Sequence, residues 1–348
     1  MSRANAKKEK REGSGAPRRL DISAFLLYNE QVMTKGKERE VKTFVLSPRG
    51  ERGPHAASVV ALGFFDGVHT AHAAVLGAAA RIARERALPL LVYTFASADS
   101  PKAAALLSTD AEKLSLLGKQ GADLAVLAEF SEVSALSPEA FVRDVLVGEL
   151  HAAVAVTGED FRFGHGASGD TALLASLLSA LGGETVAVPS VLSGGEKVSS
   201  SAVRRALADG DPERARVLLG RPYSLTLPVL TGRHIGHTLG FPTANQSPPE
   251  GRAIPAFGVY VTAVTTEDGA RYLGVTDIGT RPTVGGAGVR LETHLLDFSG
   301  DLYGRPLTVS FLHRIRGERK FSSVSALAEQ ITSDCKEARK WSKLNGSN

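Results

Sequence analysis

The chain has 348 residues, of which 43% are hydrophobic and 22% are charged, and its formal net charge is +4. These values are typical of a soluble globular protein that is large enough for two domains. The single cysteine, Cys335, excludes an internal disulfide and a zinc cluster built from cysteines.

Part of the positive charge lies in residues 1–20, which we predict to be a disordered basic arm. The arm lacks the apolar centre of a signal peptide. The chain has no run approaching the roughly 18 apolar residues of a membrane span. We therefore expect a cytoplasmic protein with no membrane contact, and we do not favour nucleic acid as a partner of the arm.

From residue 58 onward, apolar strand-like runs alternate with helical runs. Such alternation predicts an α/β domain with a mostly parallel, doubly wound sheet. The predicted strands are 58–62, 88–95, 124–127, 152–157 and 185–188, with less readable strands at 24–28 and 41–46. The predicted helices are 70–87, 108–119, 138–147, 171–181 and 200–208.

After residue 220 the pattern changes to short strands punctuated by Gly and Pro. This pattern predicts a small antiparallel barrel or sandwich, followed by an amphipathic helix over 322–341. The predicted strands are 224–230, 258–264, 271–278, 289–295 and 307–311. We therefore predict three segments: the arm 1–20, an α/β domain 21–220 and a β domain 221–348.

The most informative stretch is 61–72, where a buried strand is followed by Gly63, an Asp66-Gly67 turn and a helix start. Backbone N–H groups and the helix dipole at such a place favour a phosphate group. His69 and His72 lie one helical turn apart and would face the same phosphates. An ordinary strand-to-helix turn with two surface histidines explains the spacing equally well.

Two other segments follow predicted strands of the same sheet, at 158–164 and 198–204. Ligands of open α/β sheets bind at the carboxyl ends of strands. Ser199 and Ser200 supply hydroxyl and N–H groups at a helix start, and Arg204 lies one turn later, which suits nucleotide phosphates. A well-capped helix with a solvated arginine is the structural alternative.

These three motifs, in this order, resemble the adenylyltransferase half of the prokaryotic bifunctional riboflavin kinase/FMN adenylyltransferase (FAD synthetase) family. The resemblance implies a Rossmann-like nucleotidyltransferase in which the FMN phosphate attacks the α-phosphorus of ATP and pyrophosphate leaves. It implies that His69 and His72 stabilise charge on the phosphates, and that Asp160 and Arg162 line the flavin site. The nucleotide-binding residues that it implies are Gly63, Phe65, Asp66, Ser199, Ser200 and Arg204.

The chain departs from this family at two places. The family has His-x-Gly-His, whereas Ala71 stands at the glycine position here, and a Cβ could obstruct a nucleotide. The family also has Pro-His-Pro after a Thr-Phe pair, whereas Thr94-Phe95 is followed here by an unrelated stretch, 96–101. A riboflavin kinase with a degenerate N-terminal domain is therefore an alternative.

In the second half, residues 231–245 contain three glycines at a spacing of four. Such a loop can approach a phosphate chain closely, although a purely structural loop has the same composition. Thr243 supplies a hydroxyl suited to Mg²⁺, and Asn245 supplies an amide beside it. Farther on, Glu292 and His294 share a strand face, and a carboxylate there could accept a proton from a substrate hydroxyl. From the residues alone, a half-exposed strand carboxylate with no chemical role is the favoured interpretation.

The motifs at 240–245, 278–283, 292–298 and 301–304 resemble the riboflavin kinase module of the same family. The resemblance implies a six-stranded antiparallel barrel with a C-terminal helix. It implies that Thr243 and Asn245 hold Mg²⁺ and ATP phosphates, that Glu292 activates the riboflavin 5′-hydroxyl, and that Arg281 lies over the flavin. Gly232 and Gly236 are the loop glycines assigned to nucleotide binding.

The sequence thus predicts a two-domain enzyme that uses ATP and Mg²⁺ to make FMN from riboflavin and FAD from FMN. We expect a monomer or weak oligomer. Besides the kinase-only alternative, a flavin- or nucleic-acid-binding regulator is less favoured, because a pure binder needs no proton acceptor such as Glu292.

Overall fold

The computed structural model describes residues 42–44, 57–97, 105–231, 241–283 and 286–346. The predicted arm, the predicted strand 24–28, the loop glycines Gly232 and Gly236, and residues 98–101 of the altered stretch lie outside these ranges. For residues 42–44, 132, 281–283, 286 and 287 only the backbone is described.

The first half forms a sheet of six parallel strands in the order β1-β4-β3-β2-β5-β6. Its central strands are buried almost throughout, as is typical of a parallel sheet covered by helices on both faces. The α/β prediction is therefore confirmed. The strands are β1 (Lys42–Phe44), β2 (Ser58–Leu62), β3 (Leu90–Phe95), β4 (Leu124–Ala128), β5 (Ala152–Gly158) and β6 (Glu184–Val188).

Within the described ranges, all α-helices of this half except the short one over Phe130–Val133 begin at a side-chain cap. The helix predicted from residue 108 begins at Asp110, and Thr109 caps it in a capping box with Glu112; Ser137 and Ser199 cap later helices. The helices are α1 (Thr70–Arg86), α2 (Asp110–Lys119), α3 (Phe130–Val133), α4 (Pro138–Ala140, continued by a π-helix over Phe141–Glu149), α5 (Thr171–Ala180), α6 (Ser200–Ala208) and α7 (Pro212–Leu219). Helix α7 and a two-stranded hairpin, β7 (Leu192–Ser193) with β8 (Glu196–Lys197), were not predicted.

The second half is a six-stranded antiparallel sheet in the order β10-β13-β12-β11-β14-β9. Its two edge strands approach each other where Leu230 N donates to the Asn245 carbonyl at 2.7 Å. The sheet is therefore curled toward a barrel, as predicted. The strands are β9 (Tyr223–Pro228), β10 (Ala244–Gln246), β11 (Gly258–Thr265), β12 (Arg271–Thr283), β13 (Gly286–Leu295) and β14 (Pro306–Arg316).

The final helix, α8 (Val324–Asn345), covers the outer face of the second sheet. Its Ala338 is buried against Val259, Val261 and Val275. Within the described ranges, every helix is too short or too polar to cross a bilayer.

One hydrophobic cluster spans both halves. Buried residues of α6 and α7, such as Leu207 and Leu218, cluster with Tyr260, Ile278 and Phe311 of the second sheet. The predicted boundary at residue 220 therefore marks a change of sheet and not a gap in packing, and residues near it can serve both halves.

Candidate active sites

The turn that follows β2 lies at the carboxyl edge of the parallel sheet. Strand β2 pairs with β3 on one side and with β5 on the other. Thr94, at the end of β3, donates its hydroxyl to the Phe64 carbonyl at 2.8 Å. The predicted convergence of strand ends therefore occurs, as parallel strands require.

The backbone of this turn is strained. Phe65, Gly67 and Val68 have φ values of 50°, 75° and 39°. A Cβ on Gly67 would lie 2.8 Å from Leu107 Cβ, so only glycine fits there. A positive φ is unfavourable for a β-branched residue such as Val68, and it persists only where surrounding contacts enforce it.

Asp66 makes some of the contacts that maintain the backbone conformation of this turn. Its carboxylate is fully buried and accepts hydrogen bonds from the backbone N–H groups of Leu107 and Ser108, at 3.0 and 3.1 Å. It also pairs with the guanidinium of Arg204, whose Nε donates to the Ala105 carbonyl. Two predicted nucleotide-binding residues, Asp66 and Arg204, thus come together and bind each other.

His69 caps α1, and its contacts define its tautomer. Its Nδ1 accepts the backbone N–H of His72 at 3.2 Å, and the two rings stack with centroids 3.5 Å apart. Burial is the main cause that lowers the pKa of His69 to about 4, and the charges of Arg221 and Arg204 contribute to this lowering. His69 is therefore neutral at pH 7 with its proton on Nε2, which makes Nε2–H a hydrogen-bond donor.

The start of α6 lies directly against the turn. Ser199 caps the helix by accepting the Ala202 N–H, and Ser200 donates its hydroxyl to the Asp66 carbonyl at 3.0 Å. Gly63 and Phe65 are in contact as well, because a Cβ on Gly63 would lie 3.0 Å from the Phe65 ring. The candidate nucleotide-binding residues of this half form one cluster.

The predicted flavin-binding pair follows β5, which is a neighbour of β2. Asp160 forms an ion pair with Lys197 of β8 at 2.6 Å, and Arg162 lies 4.0 Å from Asp170. The side chains of Asp160 and Arg162 are both more than half exposed. Sequence reasoning missed Lys197, and the β7–β8 hairpin explains its place at this edge.

Ala71, the first departure from the family pattern, packs against the core shared by α6, α7 and the second sheet. The Ala71 side chain thus contacts other residues of the protein within this core. In the second departure, Ser97 donates its N–H and hydroxyl to the Asp110 carboxylate, and Lys113 donates to the Phe95 carbonyl. The end of β3 is therefore fixed to α2 despite the altered sequence.

The candidate site of the second half is a row of polar residues across three strands. Asn245 on β10 stands opposite Glu292 on β13, which stands opposite Asp277 on β12. Residues paired in this way share a face of the sheet, and the row continues to Val259, which packs against α8. The sheet register therefore brings together residues that lie far apart in sequence.

Arg290 connects the two acids of this row. Its guanidinium lies 3.2 Å from Glu292 and 3.9 Å from Asp277. Burial raises the pKa of Asp277 to about 6; Arg290 opposes this shift, and Glu292 adds to it. Sequence reasoning missed Asp277 and Arg290. The period-2 alternation that placed Arg290 and Glu292 on one face was the available signal.

Thr243 and Asn245 have the chemistry that Mg²⁺ prefers. The Asn245 amide nitrogen donates to the Thr243 carbonyl at 3.3 Å, which leaves its oxygen as the group able to bind a cation. Among the described residues no three His, Cys, Asp or Glu side chains form a metal cluster, so a cation here would also need ATP phosphates and water. The backbone of Arg281 pairs with Gly288 in the β12–β13 ladder.

A parallel sheet with a histidine turn, joined to an antiparallel sheet with this polar row, defines a two-module nucleotide-dependent transferase. The FAD synthetase family model matches residues 52–202, and the riboflavin kinase model matches residues 219–342. The chain belongs to the family of bifunctional riboflavin kinase/FMN adenylyltransferases, as the following relatives establish.

The bifunctional riboflavin kinase/FMN adenylyltransferase of Escherichia coli (strain K12) is 38% identical over 296 residues, which cover 83% of this chain and 94% of that protein. The Bacillus subtilis (strain 168) protein of the same name is 38% identical over 298 residues, covering 81% and 92%. A crystal structure described as a macrolide-efflux protein from Streptococcus pneumoniae superimposes with a TM-score of 0.79 at 31% identity, covering 86% of this chain and all of that one.

These comparisons confirm the predicted family, fold class and bifunctional enzyme. Both catalytic domains are present, which supports the bifunctional interpretation over a kinase with a degenerate N-terminal domain. The roles of individual site residues stay predictions.

Proposed function

We propose that the chain phosphorylates riboflavin to FMN at the Asn245–Glu292 site and adenylylates FMN to FAD at the His69–His72 site, with ATP as co-substrate of both reactions. The observation that carries this proposal is the register that sets Glu292 opposite Asn245. A kinase needs a proton acceptor close to a group that binds phosphates and a cation, and this register supports that pairing of Glu292 with Asn245.

In the kinase reaction, Glu292 accepts the proton of the riboflavin 5′-hydroxyl as that oxygen attacks the γ-phosphorus of ATP. The bond from the γ-phosphorus to the β–γ bridging oxygen breaks, and ADP leaves. The guanidinium of Arg290 lies 3.2 Å from the Glu292 carboxylate and holds it in place on the strand. Thr243 and Asn245 would hold Mg²⁺, which when bound supplies positive charge to the ATP phosphates. Gly232 and Gly236 would approach the phosphate chain, and Arg281 would lie over the flavin.

In the transferase reaction, a phosphate oxygen of FMN attacks the α-phosphorus of ATP, and pyrophosphate leaves. The neutral His69 donates its Nε2–H to a phosphate oxygen, and His72 contacts the same phosphates. Such work is electrostatic and positional, so it depends on a turn that keeps its shape without ligand. Asp66 and Arg204 support that shape through each other, and Asp160 and Arg162 line the flavin site.

We further propose a cytoplasmic location, a monomer or weak oligomer, and riboflavin, FMN and ATP as partners; a membrane is not among them, and nucleic acid is not favoured. The segment boundaries 1–20, 21–220 and 221–348 are part of the same proposal.

The test is to incubate the pure protein with ATP and Mg²⁺ and either riboflavin or FMN, and to separate the flavins by chromatography. We expect FMN followed by FAD from riboflavin, FAD from FMN, and neither product when EDTA is present. Formation of FMN without FAD would overturn the transferase half. Formation of FAD from FMN, with no FMN from riboflavin, would overturn the kinase half.

A further inference from the structure

One side chain of the second half contacts the strained turn of the first. Arg221 lies within the segment that matches the riboflavin kinase model. Its Nη2 donates to the Gly67 carbonyl at 2.6 Å, and its Nη1 donates to the Val68 carbonyl at 3.0 Å. A longer bond of 3.3 Å to the Leu219 carbonyl fixes the guanidinium at the end of α7.

The other polar groups of the turn are held from the first half. Ser200 donates to the Asp66 carbonyl, the Gly67 N–H donates to Ser108 Oγ, and the Val68 N–H donates to the Phe65 carbonyl. The carbonyls of Gly67 and Val68 point instead toward the second half. Without donors there, each would be left unsatisfied, and the positive φ of Val68 would lose its support.

We propose that Arg221 is a positioning residue for adenylyl transfer, so that the adenylyltransferase site is completed by the kinase module. The planar fork of the guanidinium satisfies two consecutive carbonyls and thereby fixes the peptide that leads directly into His69. A lysine in its place offers one compact charge and cannot span both oxygens in the same way. This inference rests on the proposed transferase function.

A general role in joining the two halves is the competing explanation, and the chain contains a matched control for it. Arg252, 5% exposed, forms an ion pair with Glu112 of α2 at 2.8 Å across the same boundary. The Arg252 side chain does not contact the carbonyls of Gly67 or Val68. Loss of Arg252 therefore weakens the boundary while leaving the donors of the turn in place.

The experiment compares R221A, R221K and R252A in the full-length chain, with both reactions measured on each sample. Because a misplacement of about 1 Å can cost 10²-fold in rate, we expect R221A to lower kcat for FAD formation by about 10- to 100-fold. We expect a smaller change in KM for ATP, no loss of FMN formation, and partial recovery of FAD formation in R221A on addition of guanidinium ion. R221K should show an intermediate loss, and R252A should keep both activities.

The kinase reaction reports on folding in every sample. The inference is overturned if R221A makes FAD as fast as the wild type, or if R221A and R221K lose both activities together. It is also overturned if R252A loses FAD formation as strongly as R221A. A wild type that makes FMN but no FAD would overturn the proposed transferase function itself, and this inference with it.

Discussion

The two candidate sites are built in opposite ways. At the histidine turn, Asp66 is fully buried, His69 is 4% exposed, and the backbone is held by side chains from both halves. At the kinase site, Glu292 keeps about a third of its side chain exposed, and its partners stand on neighbouring strands of one sheet. The first site depends on tertiary contacts and the second on register, so distant substitutions should affect them differently.

The largest effect is expected from Glu292→Gln. The amide keeps the shape of the carboxylate but cannot accept a proton, so riboflavin phosphorylation should fall by about 10²- to 10⁴-fold. Riboflavin binding, followed by flavin fluorescence, should persist, and FAD formation from FMN should be unchanged because the other site is independent of this strand. The control is E267Q, which changes an exposed glutamate in the β11–β12 turn. Normal turnover by Glu292→Gln would remove Glu292 from the mechanism.

The matching substitution at the histidine turn is His69→Asn. Asparagine can still cap α1, so the helix keeps its start while the Nε2–H donor is lost. FAD formation should fall by about 10²- to 10³-fold, the usual loss for one donor to a developing negative charge. FMN formation should continue, which would separate the two sites. An equal loss in H165N, at an exposed histidine, would contradict the assignment.

A third substitution tests whether tertiary contacts stabilise the histidine turn. Asp66→Ala leaves Arg204 without its buried partner and orphans the N–H groups of Leu107 and Ser108. The free energy of unfolding should fall by about 3–5 kcal/mol, measured from urea unfolding. In a double-mutant cycle, D66A and R204A should be strongly non-additive, since each removes the same pair. Additive losses would show that the pair is not a unit.

The smallest expected effect is the pH dependence of stability that Asp277 causes at the kinase site. Because the folded-state pKa of Asp277 is raised to about 6, the native protein binds more protons than the unfolded chain between its ordinary pKa and 6. This group therefore favours folding at low pH, and that contribution is lost as pH rises through 6. Asp277→Asn should stabilise the protein at pH 7.5 by less than about 1 kcal/mol, since the side chain is partly solvated.

The measurement for Asp277 is thermal unfolding with EDTA present, at pH 4.5 and at pH 7.5. The difference between D277N and the wild type should be larger at the higher pH. A difference that is the same at both pH values would contradict the raised pKa.

The sequence by itself determined the elements and the motifs. The alternation of apolar runs predicted both sheets, Ser199 indicated a helix start, and the motifs predicted the family. These signals are local, because helix and strand periods and caps involve residues a few positions apart. For the same reason the His69–His72 pair was found at once, since one helical turn separates the two residues.

The tertiary structure decided the contacts between distant segments. Three contacts join residues that lie far apart in sequence. They are the ion pair of Asp66 with Arg204, the row from Asn245 to Asp277, and the hydrogen bond from Arg221 to the turn. No local period encodes them, because they depend on how sheets register and how the two halves pack. The histidine turn was thus recognisable from sequence, but only the packing of the second half against it assigned the donor for the carbonyls of Gly67 and Val68.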